Sequence, residues 1–175
     1  RCWGAGEGCL LFIGLNPSKA DAQRDDPTLR RLIGFARQWG YRELLVLNLF
    51  ARISPTPAAL LRVKDPIGGQ NDVVLKRWLN HWSLTPGIDL WCGWGVNGAR
   101  LDRAQIVLAR IQRLLPNRRR SVPDSPHPLM LGRTASGQPR HPLYAPRQAC
   151  LHPFLWADPE PIRHPVRNQT DVFPN

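Results

Sequence analysis

The chain has 175 residues, enough for a single domain with a sizeable core. Its 24 Lys and Arg against 13 Asp and Glu give a formal net charge of +11, which favours a polyanion partner and makes nucleic acid the leading expectation. No apolar stretch approaches the roughly 18 residues that cross a bilayer, and no signal-peptide pattern opens the chain, so the reading is cytoplasmic and without a membrane partner; a monomer is the expected state. Cys2, Cys9, Cys92 and Cys150 have no C-x-x-C pairing and no histidines at zinc spacing. Neither a metal site, a disulfide framework nor a cofactor is expected, and the spacing gives an iron–sulfur cluster little support.

Apolar runs alternate with helical patterns, as in βα units feeding a parallel sheet. Residues 10–14 read as the first strand. Asp26-Pro27-Thr28 supplies a helix N-cap and a proline at the first helical position, ahead of LRRLIGFARQW and a stop at Gly40. Residues 43–49 read as the second strand. A proline-started turn of helix is expected from 54 to 63. A longer helix follows at 71–81, with Val74, Leu75, Trp78, Leu79 and Trp82 on one face. Residues 88–92 form the third strand, 97–115 an amphipathic helix using Leu101, Ala104, Ile106, Leu108, Ile111 and Leu115, and 128–132 the fourth strand. Residues 1–156 thus form one domain, and 157–175 a proline-rich tail.

Polar loops close several of these strands: Gly14-Leu15-Asn16-Pro17-Ser18 after the first, Asn48-Leu49-Phe50 at the second, and Arg140-His141-Pro142-Leu143-Tyr144 beyond the fourth. In an open parallel sheet such loops meet at the carboxyl ends of the strands, where ligands bind. Asn16 suits positioning a water through its amide carbonyl, although a turn before Pro17 explains it as well. Asn48 closes an apolar strand, where an amide needs a partner; a pyrimidine edge and a backbone turn both qualify. His141 is the histidine that falls among these loops, whereas His127 falls at the opposite end of the sheet. Asp26 is accounted for as the N-cap, and Asp25 is the loop carboxylate left over.

In this order the segments resemble the uracil-DNA glycosylase superfamily. LLFIGLNPS resembles its first motif, in which a strand delivers Gly-x-Asp/Asn-Pro to the glycosidic bond, in the Asn form of the mismatch-specific branch. LLVLNLF resembles the second strand, whose asparagine reads the flipped pyrimidine; CGWG resembles the third strand and its turn, and HPLY the histidine-proline motif. GLNPS, DDPT, DPIG and GQPRHPLY together also resemble a bacterial domain family without an assigned activity. Two departures stand out. Ser18 occupies the place where many uracil-specific members carry a pocket-closing tyrosine, and His-Pro-Leu-Tyr replaces a serine-containing form.

The resemblance implies a three-layer α/β/α fold with a four-stranded parallel sheet, and monofunctional, metal-free release of a pyrimidine from DNA. Asn16, His141 and Asp25 are the expected catalytic residues, and Asn48, Ser18, Leu15 and Phe50 the expected base contacts. The small Ser18 leaves room for uracil, mismatched thymine or a C5-modified base, a bulky modified base of phage DNA among them. Lys19, Arg24, Arg52, Arg133, Arg140 and Arg147, with Tyr144, fall in loops placed to hold DNA. Arg118-Arg119-Arg120 are expected at the far edge, complementing a helix dipole. Phe50, Trp94 and Tyr144 are aromatics near the mouth; Trp3, Trp39, Trp78, Trp82 and Trp91 are read as core or covering residues. Two rival readings use the same fold: a nucleic-acid-binding module without catalysis, and a hydrolase of free nucleosides or nucleotides.

Overall fold

The computed structural model describes residues 1–17, 26–54, 59 and 62–156. The expected tail at 157–175, most of the short helix expected within 54–63, and Ser18, Lys19, Arg24 and Asp25 lie outside the described residues.

Strands β1 (Glu7–Gly14), β2 (Tyr41–Asn48), β3 (Ile88–Cys92), β4 (Leu129–Met130) and β5 (His152–Pro153) form one sheet in the order β2-β1-β3-β4-β5. The first four run parallel, with Gly14 opposite Asn48 and Ile13 opposite Cys92, so their carboxyl ends share one edge. The sheet has five strands and is mixed, not the four-stranded parallel sheet expected. β5 adds a fifth, antiparallel strand through Leu129 opposite Pro153 and Met130 opposite His152.

Helices lie on both faces. On one, α1 (Pro27–Gln38) packs Leu32, Phe35 and Ala36 against Leu10, Phe12, Leu44 and Trp91. On the other, α2 (Asn71–Leu84) and α3 (Arg103–Ser121) enclose Leu11, Ile13 and Leu90 with Leu75, Leu79, Trp82, Val107 and Ile111. The alternation of β1 side chains between these cores is the period-two geometry of a strand covered on both faces. α1 starts as the sequence predicts: the Asp26 carboxylate accepts from the Leu29 N–H at 2.7 Å, and Pro27 follows.

Two helical faces differ from expectation. Val74 is exposed, so the buried stripe of α2 is Leu75, Leu79 and Trp82. The expected helix at 97–115 is a 3-10 segment (Val96–Asp102) followed by α3, separated by the left-handed residues Leu101 (φ 51°) and Asp102 (φ 54°). That break turns Leu101 and Ile106 outward. Pro116 does not end α3, which continues to Ser121 and buries Ala104, Val107, Ile111, Leu115 and Arg118.

Arg118 is not a surface complement to its own helix end. Its guanidinium is 1 % exposed and donates to the carbonyls of Trp82 (2.8 Å), Thr85 (2.9 Å) and Ile88 (2.8 Å), tying the end of α2 to the start of β3. Burial lowers its pKa, and Asp89, 3.5 Å away, opposes that shift. The bond to Trp82 is made in the last turn of α2, where carbonyls lack intrahelical donors. Among the described residues, no helix is long and apolar enough to cross a membrane.

Candidate functional site

A cavity of about 710 Å³ opens at the carboxyl ends of the parallel strands. Leu15 and Asn16 line it after β1, and Asn48 at the end of β2. Trp94, Gly95 and Asn97 follow β3, while Arg140, His141 and Tyr144 arrive from beyond β4. The inner face of α1 contributes Thr28, Leu29 and Leu32, which with Phe12 and Val46 make one side apolar. Polar groups from several segments facing an apolar wall are the usual make-up of a ligand pocket.

Asn16 ties two loops together. Its Nδ2 donates to the carbonyl of Pro17 at 3.0 Å and to that of Ser54 at 3.2 Å. Both amide protons are therefore engaged, and among the described residues Oδ1 carries no hydrogen bond, which orients an acceptor for a ligand or a water.

Asn48 is held by its backbone. Asn71 Nδ2 donates to the carbonyls of Asn48 (3.1 Å) and Leu49 (3.0 Å), and the buried Arg103 adds a bond to Leu49 (3.1 Å) while pairing with Asp72 (2.8 Å). The half-buried Asn48 side chain then sits against Gly14, where a Cβ would lie 2.8 Å from its Oδ1. Glycine is required there to let the asparagine pack across β1.

A tight loop after β4 delivers His141. Arg140 N–H donates to Gly132, Gly95 N–H donates to Pro139, and Arg133 and Pro139 form an isolated bridge. Gly95 has φ +71°, and a Cβ on it would come within 3.3 Å of the His141 Cβ. His141 Nδ1 accepts from the Leu143 N–H at 3.3 Å, leaving Nε2 as the protonated nitrogen of the neutral ring. Burial lowers the His141 pKa from its ordinary value, and the Asp26 charge partly opposes this. The ring is therefore neutral at pH 7 and donates through Nε2. The N-cap Asp26 thus also acts electrostatically on the histidine loop.

Other expected residues are dispersed. Phe50 is fully buried in the core beneath the sheet rather than at the mouth. Trp94 is a wall: its indole N–H donates to Gln138 at 2.8 Å, and a Cβ on Gly98 would strike its ring. Arg52 faces a separate hollow with Lys64 and Asp65. Arg133 bonds the carbonyls of Gly137 and Leu155 and lies over the Phe154 ring. Arg147 lies on the outer side of α1. Tyr144 is 78 % exposed at the rim, and Arg140 lines the cavity.

Sequence reasoning missed Ser54, Asn97 and Thr134, which also line the cavity. Asn97 was legible by the same rule that found Asn48, since it follows β3; its Oδ1 accepts from Arg100 Nε at 3.0 Å, which leaves its amide protons for a ligand.

A family model described as "Protein of unknown function (DUF1643)" matches residues 1–143. No curated protein and no solved structure matches the chain.

Proposed function

Taking as premise that the chain belongs to the DUF1643 family, we propose that it is a DNA glycosylase that hydrolyses the N-glycosidic bond of a pyrimidine flipped into this cavity. The observation that carries the reading is the meeting of Asn16, Asn48 and His141, from three separate loops, around one cavity. The four parallel strands and the helices on both faces support the uracil-DNA glycosylase-like fold that the motifs imply.

In this reading a water oriented by Asn16 Oδ1 adds its oxygen to the sugar C1′ as the C1′–N bond breaks; the base leaves with the electron pair, and the proton the water gives up passes through solvent to the departing base anion, leaving a C1′ hydroxyl and the free base. The Nε2–H of neutral His141 donates to a carbonyl oxygen on which that negative charge develops. Asn48 pairs with the pyrimidine edge, offering one donor and one acceptor, and Leu15 and Val46 pack on its faces. An amide is a weak base, so the rate comes from positioning and from charge stabilisation rather than proton abstraction. Tyr144 and Arg140 at the rim meet the DNA.

The substrate is uracil, mismatched thymine or a C5-modified pyrimidine. The test is single-turnover release from duplexes carrying each base, by the parent and by Asn16→Ala, Asn48→Ala and His141→Ala. The parent is expected to release at least one base, with each variant slower by about 100-fold or more, as for loss of a transition-state donor, and with DNA affinity within a few-fold. Tight binding without release from any duplex would favour a nucleic-acid-binding module, and release only from free nucleosides a nucleoside hydrolase.

A further inference from the structure

On the outer side of α1 a second hollow, a groove of about 560 Å³, runs between Arg30, Arg31, Gly34 and Gln38 of the helix and Leu143 and Arg147 of the chain that follows His141. It backs directly onto the candidate pocket. Thr28, Leu29 and Leu32 of the same helix line the cavity, and Leu143 lies between the cavity residues His141 and Tyr144. Residues 30, 31, 34 and 38 share one helical stripe by their three- and four-residue spacing.

Gly34 is the telling residue. Glycine is the poorest helix former after proline, and it stands in the middle of α1. No packing demand accounts for it: it is exposed, and a Cβ there would meet nothing within 4 Å. The missing side chain keeps the groove floor open among arginines, which is what close approach of a ligand backbone requires. Arg31 is fixed in place, its guanidinium donating to the Ala145 carbonyl and lying 4.5 Å over the Phe35 ring. Among the described residues, no Asp or Glu lines the groove.

We propose that this groove binds the phosphodiester backbone of DNA, with a phosphate passing over Gly34 between Arg31 and Arg147 while a neighbouring nucleotide occupies the cavity. The choice of DNA as the polyanion rests on the glycosylase reading, because the two hollows share the wall formed by α1 and the turn at Pro142–Tyr144. A helix stripe of arginines over an open glycine follows a backbone without reading sequence.

The experiment is fluorescence anisotropy of the full chain with labelled single-stranded and duplex oligonucleotides, across a range of NaCl. Gly34→Glu puts bulk and negative charge on the groove floor without touching the core, and Arg147→Glu reverses one wall. Gly34→Ala checks that the position tolerates a side chain. Arg77→Glu, exposed on α2 across the sheet, matches the net-charge change of Arg147→Glu and exceeds that of Gly34→Glu. Gly34→Glu and Arg147→Glu are each expected to weaken binding about tenfold or more near 0.1 M salt, and to flatten the salt dependence by about 0.9 in slope for each phosphate the protein no longer neutralises. Arg77→Glu is expected to stay within about twofold, and Gly34→Ala to fold like the parent but bind between Arg77→Glu and Gly34→Glu, because its methyl group narrows the approach that the glycine leaves open. The proposal is overturned if the groove variants bind no worse than Arg77→Glu, or if the parent binds phosphatidylglycerol vesicles and not DNA. Base release is scored on the same samples. Groove-dependent binding with no release sinks the glycosylase reading alone, and release with groove-independent binding sinks the groove alone.

Discussion

Replacing Arg118 by Met tests the construction of the end of the molecule remote from the cavity. The guanidinium serves the carbonyls of Trp82 and Ile88 in buried positions and that of Thr85 in a partly buried one. Methionine fills much of the volume but donates nothing. Two buried carbonyls stripped of donors cost about 1–3 kcal/mol each, while water reaches Thr85, so the loss is about 3 kcal/mol. That is a large share of a small domain's stability. Urea unfolding followed by tryptophan fluorescence measures it, with an unchanged m-value as the sign that both folded states are equally compact. Arg119→Met, exposed on the same helix, is the control and should stay within about 0.5 kcal/mol. The folded Arg118→Met protein should bind DNA like the parent, because these bonds lie at the amino end of β3. A loss below about 1 kcal/mol would refute the reasoning.

Further outcomes follow from the cavity. The His141 pKa is lowered by burial, so below an unfolded value of about 6.5 the unfolded chain binds the extra proton more readily. Stability contributed by neutral His141 is therefore complete above that value and is lost as pH falls toward the lowered folded value; His141→Gln should flatten this part of a stability-against-pH curve, and an unchanged curve would contradict it. Base release should hold level at neutral pH and fall only on the acid side. Gly14→Ala places a Cβ 2.8 Å from Asn48 Oδ1 and 2.9 Å from the Phe12 ring. It should cost about 1–3 kcal/mol and slow base release about tenfold or more without a matching loss of DNA affinity; a variant as active as the parent would show that the Asn48 amide is not held as described.

The first three strands and α1 are legible because their signals are local: unbroken apolar runs, an aspartate cap and a proline at the helix start. β5 is not. His152–Pro153 is two residues long, too short to carry a period, and pairs only because β4 is already in place. The start of α3 escapes the sequence pattern because Leu101 and Asp102 take left-handed angles that no propensity marks, and its end because Pro116 is accommodated within the helix. Arg118 looks like its neighbours in a basic run, yet it continues the buried series 104, 107, 111, 115 by one more three-residue step. Within the candidate site, Asn16, Asn48 and His141 are brought together by the strand-end rule alone. That rule also draws in Phe50, which the chain turns inward to the core immediately after β2.

The most direct measurement of base excision is mass spectrometry of the small molecules released when the full chain is incubated with duplexes containing uracil, mismatched thymine or C5-modified pyrimidines. The expected result is a free base from at least one duplex, in proportion to the abasic sites left in the DNA. DNA bound but no free base from any duplex, or release that Asn16→Ala and His141→Ala leave at the parent's rate, would contradict it.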